Sequence, residues 1–504
     1  MIERVLELFP TEWPCTFVLS SNHKETNLSN LLRELRPNAN IVWIDENFRK
    51  EQPFKGPALA VYEGLKVIEP EDSVLVSYCD YGMIWDAKYF ERFVHDTNCD
   101  ACLISYRGFH AHYLSPTMYA YSQLNGELVR SVREKGSFTS NRETEYASSG
   151  AYYFKSAVQL KLALEWQVED KLEVQNEHYT SLTVEALLQR QPTSNVRVFE
   201  VPGFCQWGTP EDLKIFEYWE RVFKIWNREQ RKGESFEVAQ VLMPMAGRGS
   251  RFQSLTKLPK PYIRIGDTPM FKLALESLPK AKHTVVVSLE EHIAFWSDNH
   301  DHTKHLTPCF LKTTPAGQAL SSEAGLAHLN PNDEVLVTAC DHEIVLSEKK
   351  WADFHRNPDC DAAIFTVQGF PGAARKPKSF AYVIPANSSD PFPTVKSVSV
   401  KEPVSDSPTN DHLLVGTFWF KSAAILDHYL QVLKARDLRV NGELYLDSIF
   451  TVLIEHGLKV RMIPLDGYIC RGDPDALAES VYFEELFGGR SLTYKGRYLA
   501  AGSS

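Results

Sequence analysis

The sequence predicts an α/β protein built from two similar domains in tandem, each with a mostly parallel sheet and helices on both faces. Three observations lead to this prediction. With 504 residues, the chain is too long for a single hydrophobic core. Its two halves align with each other over long stretches. Within each half, short apolar runs such as residues 74–78 alternate with segments of helical periodicity such as residues 58–67.

The internal repeat is visible by direct comparison of the two halves. Residues 56–109 align without gaps with residues 317–370, at an offset of 261. Further on, GAYYFKSA at 150–157 aligns with GTFWFKSA at 416–423. Alternating strands and helices in both copies are typical of Rossmann-like sheets. We therefore expect domains at 1–225 and 238–504, joined by a charged linker at 226–237.

The most informative stretch is 241–270, VLMPMAGRGSRFQSLTKLPKPYIRIGDTPM. Its apolar start reads as a buried strand, and it ends at a turn that contains Gly247 and Gly249. Glycines let the backbone approach an anion, and consecutive N–H groups can bind phosphate oxygens. Lys260 stands between two prolines, nine residues after Arg251. The pattern predicts a triphosphate site, although it is neither the P-loop nor the dinucleotide GxGxxG motif.

This stretch resembles the signature of the sugar-phosphate nucleotidyltransferases, in the MAGxGSRF…PKP form common among polysaccharide-precursor enzymes. The resemblance implies a fold of the nucleotide-diphospho-sugar transferase type. It also implies nucleotidyl transfer from an NTP to a sugar phosphate, or a related phosphorylated polyol or acid, with release of pyrophosphate. The product would be a precursor of capsule or another surface polysaccharide, and Mg²⁺ would be the cofactor.

The resemblance implies roles for particular residues. Arg251 would hold the departing pyrophosphate, Lys260 would neutralise a phosphate, and Asp341 would bind Mg²⁺, with Asp80 as its counterpart in the first domain. Each also has a structural interpretation: a surface arginine, a solvated lysine or an aspartate that caps a helix. The expected nucleotide-binding residues are Met245, Ala246, Gly247, Gly249, Ser250, Arg251, Gly317 and Gln318. The expected sugar-phosphate-binding residues are Lys401, Glu402, Gly416 and Glu443, and in the first domain Glu134, Lys135, Gly150 and Glu177.

Both halves depart from the family pattern. Met1 aligns with Met270, so the first copy lacks the strand and glycine loop that should precede it. Either the chain is a shortened version of a longer protein, or the first domain lost its nucleotide site and repaired its sheet; both remain open. In the second half, Lys135 aligns with Pro403, and Lys401 is at most a substitute. Neither half has the late W-x-D-x-G-T segment that often supplies a second metal aspartate.

Composition excludes several classes of protein. A net charge of −11 without a basic stripe argues against a nucleic-acid partner. No run of 18 apolar residues predicts a membrane span, and the first residues do not resemble a signal peptide. Nine cysteines, an odd number in a long chain, suggest reduced thiols. We expect a cytoplasmic protein, and an unpaired sheet edge in the first domain would favour a homo-oligomer.

Two other functions compete with catalysis. The chain could bind a nucleotide or sugar phosphate without turnover, as a regulatory or scaffold protein, which the missing second aspartate and Pro403 favour. It could also be a glycosyltransferase of the related fold. That class should carry a DxD motif at the end of the fourth strand, where this sequence has Cys340-Asp341-His342-Glu343.

Overall fold

The computed structural model describes residues 1–45, 55–115, 118–232, 236–356, 358–387, 389–439 and 442–487. They form two compact units, Met1–Phe216 and a second that begins at Glu217. The division falls inside a helix, Pro210–Lys232. The segment expected to be a linker, 226–237, therefore begins with the last turns of this helix, and a strand begins at Glu237. The predicted α/β fold class is confirmed.

The first unit has one large sheet and two strand pairs. The strands are β1 (Thr16–Ser20), β2 (Asn40–Ile44), β3 (Val74–Ser77), β4 (Tyr81–Ile84), β5 (Ala101–Tyr106), β6 (Tyr121–Asn125), β7 (Leu128–Arg133), β8 (Tyr146–Phe154), β9 (Val196–Glu200) and β10 (Gly203–Gln206). The helices are α1 (Ile2–Leu6), α2 (Leu28–Leu35), α3 (Pro57–Gly64), α4 (Ala87–Thr97), α5 (Ala157–Glu169), α6 (Thr180–Arg190) and the start of α7 (Pro210–Lys232).

The second unit is built in the same way, with a longer main sheet. The strands are β11 (Glu237–Pro244), β12 (Arg264–Ile265), β13 (Thr268–Pro269), β14 (Lys280–Leu289), β15 (Thr307–Leu311), β16 (Val335–Thr338), β17 (His342–Val345), β18 (Ala362–Val367), β19 (Ala381–Pro385), β20 (Val395–Val400), β21 (His412–Phe420), β22 (Val460–Pro464) and β23 (Gly467–Cys470). The helices are α8 (Met270–Glu276), α9 (Ile293–Asp298), α10 (His300–Thr303), α11 (Gln318–Gly325), α12 (Glu348–His355), α13 (Pro371–Arg375), α14 (Ala423–Arg436), α15 (Ile449–Glu455) and α16 (Pro474–Phe487).

The two main sheets share a four-strand order. In the second unit the path is β15-β14-β11-β16-β21-β18-β22, and in the first it is β3-β8-β5-β9-β7-β6. The segments β16-β21-β18-β22 and β3-β8-β5-β9 have the same pattern of strand directions, with β21 and β8 antiparallel to their neighbours. A mostly parallel sheet was expected. The second unit fits this along its path, whereas most pairings of the first sheet are antiparallel.

The units differ at the strand that carries the glycine loop. In the second unit β11 pairs in parallel with both β14 and β16. In the first unit β1 and β2 form a separate parallel pair, and within residues 1–45, 55–115 and 118–216 no strand joins β1 to β3. The edges of β1 and β3 that would flank such a strand are thus unpaired in the described part of this unit.

Each unit has its own hydrophobic core on the faces of its sheet. Val335, Val337 and Ile364 are fully buried in the second unit, and Ala101 and Leu103 are fully buried in the first. Continuous burial of whole strands, including β16 and β18, explains why their sequences are apolar runs instead of alternating patterns. None of the helices in the described ranges combines the length and apolarity needed to cross a membrane.

Candidate functional site

The glycine loop follows the central strand of the second unit. Met245 N–H donates to Val287 O over 2.8 Å, which fixes the start of the loop to β14. Gly249 has a φ of +59°, and a Cβ there would lie 2.7 Å from Lys260 Cβ. Glycine is thus required both by the left-handed backbone and by close packing. The loop and the lysine, eleven positions apart in sequence, form one packed unit.

The rest of the loop presents backbone and one cation. Ala246 is buried, and a Cβ on Gly247 would meet nothing within 4 Å. Ser250 and Arg251 lie in a short 3-10 helix, Ser250–Phe252, with the Arg251 side chain exposed. Open space beside Gly247 and an exposed guanidinium are suited to binding an anion.

Lys260 and Asp341 meet at the end of β16. Lys260 begins a 3-10 helix, Lys260–Tyr262, and its Nζ forms an ion pair with Asp341 Oδ2. The same Nζ donates to Gly472 O over 3.2 Å. His342 Nδ1 lies 3.6 Å from Asp341 Oδ1. Lys260, Asp341 and Gly472 are far apart in sequence and thus lie together at one ion pair.

The electrostatics keep this pair charged. Burial by itself would raise the pKa of Asp341, but the charge of Lys260 and the contact with His342 outweigh burial and hold that pKa well below its usual range. Burial would lower the pKa of Lys260, whereas Asp341 raises it above the ordinary value. Burial raises the pKa of the neighbouring Cys340 to about 12 and that of Cys470 to about 11. Both thiols are therefore neutral at physiological pH.

A second glycine, Gly317, packs against the segment that contains Leu444. Gly317 has a φ of +121°, and a Cβ there would lie 2.4 Å from Leu444 O. Leu444 N–H donates to Ala316 O, and Ala319 N–H donates to Leu444 O, both over 3.1 Å. Helix α11 begins directly afterwards at Gln318. The predicted base-binding loop is therefore held against the segment that contains Glu443.

Lys401 of the second unit has the same backbone conformation and ring contact as Lys135 of the first unit. Lys401 has a φ of +62°, and its Nζ lies 5.3 Å from the centre of the Tyr445 ring. In the first unit Lys135 has a φ of +53°, and its Nζ lies 4.7 Å from the centre of the Tyr179 ring. Both lysines precede their tyrosines by 44 residues. Lys401 is the counterpart of Lys135, so the alignment of Lys135 with Pro403 was wrong.

Charges from both sides of the site meet at Lys401. Burial lowers its pKa, Arg251 lowers it further, and Asp447 and Glu443 act in the opposite direction. Gly416 lies in β21, and its carbonyl accepts from Ala339 N–H over 3.1 Å. Glu402 is exposed, and its backbone carbonyl accepts from Ser399 Oγ–H over 2.8 Å.

The first unit brings several of its predicted sugar-phosphate-binding residues together. Lys135 Nζ donates to Tyr179 Oη over 2.7 Å, and Tyr179 Oη donates to Glu177 Oε2 over 2.7 Å. Glu134 Oε2 accepts from Ser181 Oγ–H over 2.5 Å. Gly150 has a φ of +90°, and a Cβ there would lie 3.2 Å from the Tyr78 ring. The structure thus brings together Glu134, Lys135 and Glu177 of the predicted set.

Asp80 has a different environment from Asp341. Burial raises its pKa, and the charge of Asp212 adds to the shift. No Lys or Arg in the described ranges forms an ion pair with it. The described residues also contain no cluster of three or more His, Cys, Asp or Glu side chains that could hold a metal. Any metal at Asp341 or Asp80 would therefore depend on oxygens from a substrate or from water.

Comparison with known proteins points to one kind of domain. Residues 241–405 match the family model of the MobA-like NTP transferase domain. The matched segment contains the glycine loop, Lys260, Asp341 and Lys401, and it ends before Glu443. A search of curated proteins found no match.

Among solved structures, a nucleoside-diphosphate-sugar pyrophosphorylase from Vibrio cholerae RC9 is 18% identical, with 48% of this chain and 99% of that chain covered and a TM-score of 0.38. A UDP-glucose pyrophosphorylase complexed with UDP-glucose is 14% identical, with 48% and 97% covered and a TM-score of 0.40. An inositol-1-phosphate CTP transferase from T. maritima is 12% identical, with 50% and 98% covered and a TM-score of 0.38.

Sequence reasoning missed two residues beside the NTP transferase motifs, Tyr445 and Asp447. Both lie in the segment Glu443-Leu444-Tyr445-Leu446-Asp447, where Leu444 and Leu446 are buried. The alternation places the other three residues on the opposite side, towards Lys401. A sequence signal for Tyr445 was available, because the same spacing of lysine to tyrosine occurs in both halves.

Proposed function

We propose that the second unit transfers a nucleotidyl group from an NTP to a sugar phosphate or a similar phosphorylated acceptor and releases pyrophosphate. One observation carries the proposal: the Lys260–Asp341 pair lies at the end of β16, packed against the glycine loop of the matched NTP transferase segment. Sugar phosphates used for capsule or other surface polysaccharides are the acceptor class that the sequence resemblance suggests.

The chemistry needs no covalent enzyme intermediate. An acceptor phosphate oxygen attacks the α-phosphorus of the NTP, and pyrophosphate leaves with the bonding electron pair. The protein then has to align two anions and stabilise the charge that develops. Amides of the loop at Gly247 and Gly249 and the Arg251 guanidinium bind the triphosphate. Lys260, already charged, turns from Asp341 to the phosphate at the reaction centre.

The donor set around Asp341 fits Mg²⁺ in a limited way. Asp341 offers one carboxylate kept ionised by its neighbours, and Mg²⁺ is commonly bound by one or two carboxylates together with phosphate oxygens and waters. Asp341 would hold the ion, which would supply positive charge for the phosphates. In the first unit, Asp80 has the same place in sequence, but burial raises its pKa and makes ionisation less favourable than at Asp341, so we do not extend the metal role to it.

We further propose that the first unit is a sister domain that retains the acceptor side of this site. The shared strand order of the two sheets supports this, as do the Lys135–Tyr179 and Lys401–Tyr445 pairs. Because β11 has no counterpart among the described strands of the first unit, nucleotide binding is assigned to the second unit.

A second candidate is binding without turnover, as in a regulatory or scaffold protein. The ion pair favours it, since Lys260 already neutralises the carboxylate that would hold the metal. The two candidates make different predictions. A catalyst releases pyrophosphate, whereas a binding protein is only stabilised by the ligand.

The decisive experiment measures pyrophosphate release with Mg²⁺ across the four common NTPs and a panel of sugar and polyol phosphates. Native protein is compared with Lys260→Ala and Arg251→Ala. Release with one NTP that falls by about 100-fold or more in both variants supports catalysis in the second unit. If no pair gives pyrophosphate while a nucleotide still raises the melting temperature, the binding function replaces the catalytic one.

A further inference from the structure

The two acceptor-type pockets place a carboxylate on different segments. In the first unit Glu134 directly precedes Lys135 and accepts a hydrogen bond from Ser181, two residues after Tyr179. In the second unit the residue before Lys401 is Val400, so the carboxylate at the end of the strand is absent there.

Asp447 restores a carboxylate from the opposite side of the pocket. It stands two residues after Tyr445, at the position that Ser181 occupies in the first unit. The exchange is therefore reciprocal: Glu134 and Ser181 in one pocket correspond to Val400 and Asp447 in the other. The lysine beside each carboxylate is unchanged in backbone conformation.

One oxygen of the Asp447 carboxylate has unused hydrogen-bonding capacity, although the backbone N–H groups of Ser448 and Asp447 support the carboxylate. Its Oδ1 is buried and has no hydrogen-bond partner within the described residues, while the side chain as a whole is only half-buried. Asp447 stands two residues after Tyr445, whose ring centre lies 5.3 Å from Lys401 Nζ, and the charges of Asp447 and Lys401 act on each other. A buried acceptor atom without a donor is costly unless something supplies the donor.

We propose that Asp447 is a specificity-determining residue that accepts a hydrogen bond from a hydroxyl group of the phosphorylated acceptor, while Lys401 faces the acceptor's phosphate. This inference rests on the proposed function for its acceptor class but does not need turnover. A carboxylate repels phosphate and accepts from hydroxyl groups, so the two side chains divide the ligand between them. A site built in this way rejects ligands that lack the hydroxyl.

The test measures binding by titration calorimetry on the full chain. A Lys135→Ala background removes the competing pocket of the first unit. The probes are glucose 1-phosphate, inositol 1-phosphate and inorganic phosphate. Asp447→Asn is expected to weaken binding of a hydroxylated phosphate by about 10- to 100-fold, the range for losing a hydrogen bond to a charged group. Inorganic phosphate should bind no more weakly to the variant, because it does not need the hydroxyl contact and the variant lacks the carboxylate that repels it.

Two further variants separate recognition from a structural role. Val400→Glu/Asp447→Ser rebuilds the arrangement of the first unit and should restore binding to within about threefold of the parent. Asp427→Asn, an exposed aspartate on α14, should leave binding unchanged.

The inference is overturned if the parent binds neither hydroxylated phosphate, if Asp447→Asn weakens inorganic phosphate equally, or if the double variant does not recover. Binding that follows the expected pattern, without pyrophosphate release by the native protein, would reject the proposed catalysis and leave this inference standing.

Discussion

Asp80 and Asp341 occupy similar places in the two units, yet their surroundings shift their pKa values in opposite directions. A Cβ on Gly208 would lie 3.3 Å from Asp80 Oδ2, and a Cβ on Gly472 would lie 3.2 Å from Asp341 Oδ2. Burial raises the pKa of Asp80, whereas at Asp341 the charge of Lys260 overcomes burial and lowers the pKa.

The comparison shows how Lys260 changes the pKa of a carboxyl group in a backbone arrangement that both units share. Both carboxylates are partly removed from water, which disfavours ionisation. Among the described residues, only those of the second unit include a segment that brings a lysine against both the glycine loop and the carboxylate. A buried carboxylate that is already ionised can bind a cation or release a lysine to a phosphate without first losing a proton.

The largest expected difference is in catalysis. Asp341→Asn should reduce pyrophosphate release by about 100-fold or more, because it removes a charge at the proposed reaction centre. Asp80→Asn should have a much smaller effect, since no described strand of its unit corresponds to β11, which carries the glycine loop. The measurement is kcat/KM for both variants at saturating Mg²⁺. Equal losses would mean that both units contribute to one reaction.

The second difference is in stability. Lys260→Met leaves the Asp341 carboxylate without its cation and should destabilise the second unit by about 2–3 kcal/mol at neutral pH. Since Lys260 lowers the pKa of Asp341, the pair stabilises the fold above the ordinary carboxyl range, and that stability is lost as pH falls. The deficit of the variant should therefore shrink on acidification.

Melting curves of the full chain between about pH 2 and about pH 7 would measure this deficit, because the contribution of the pair is lost only below the unfolded carboxyl pKa of about 4. The double variant Lys260→Met/Asp341→Asn should recover most of the lost melting temperature, because neither charge is then left alone. A deficit that does not depend on pH would indicate lost packing of the lysine stem against Phe252, whose ring centre lies 5.8 Å from Nζ.

Much of this comparison could be predicted from the sequence. The glycine loop, Lys260 and Asp341 were found because their spacing is local or follows an apolar strand. The missing strand of the first unit followed from aligning Met1 with Met270. Within the described residues no strand pairs with the edges of β1 and β3 that would flank a counterpart of β11, and the missing strand stays a prediction.

The acceptor pocket was harder to predict because its partners are far apart in sequence. Alignment of REK at 133–135 with KEP at 401–403 placed Pro403 opposite Lys135, and the left-handed backbone and the ring contact identify Lys401 as the counterpart. Asp447 has no sequence signature, since an aspartate before a helix usually indicates a cap. The direct ion pair between Lys260 and Asp341 also required the structure, since 81 residues separate the two.

A third prediction compares Gly317 with its counterpart Gly56. A Cβ on Gly317 would lie 2.4 Å from Leu444 O, a backbone atom, whereas a Cβ on Gly56 would lie 3.1 Å from a side-chain atom of Glu177. Both glycines have positive φ, so each alanine carries a conformational cost. Gly317→Ala should cost about 2 kcal/mol and Gly56→Ala about 1 kcal/mol, because only the first displaces backbone.

Thermal melting would measure these costs, and the KM for the NTP provides a second measurement. It should rise for Gly317→Ala and stay near the native value for Gly56→Ala. A larger loss of stability at Gly56 would reject the idea that the base-binding loop of the second unit is the more tightly constrained.

The smallest expected effect concerns the acceptor pockets. Burial raises the pKa of Asp447 to about 6, against the opposing charge of Lys401. A raised carboxyl pKa means that protonated Asp447 stabilises the fold at acid pH, and that this contribution is lost as pH rises from about 4 through about 6. Asp447→Asn mimics the protonated state. Its melting temperature should match native protein below about pH 4 and exceed it by a few degrees above about pH 6.

Asp427→Asn provides the matched control, because that exposed side chain should give a difference that does not vary with pH. Burial also raises the pKa of Glu134, but the hydrogen bond from Ser181 supports its ionised form, so Glu134→Gln should gain less than Asp447→Asn does. A pH-independent difference for Asp447→Asn would show that its carboxyl group titrates as an exposed one. The reciprocal exchange between the pockets would then leave Asp447 without the burial that makes an unpaired oxygen selective.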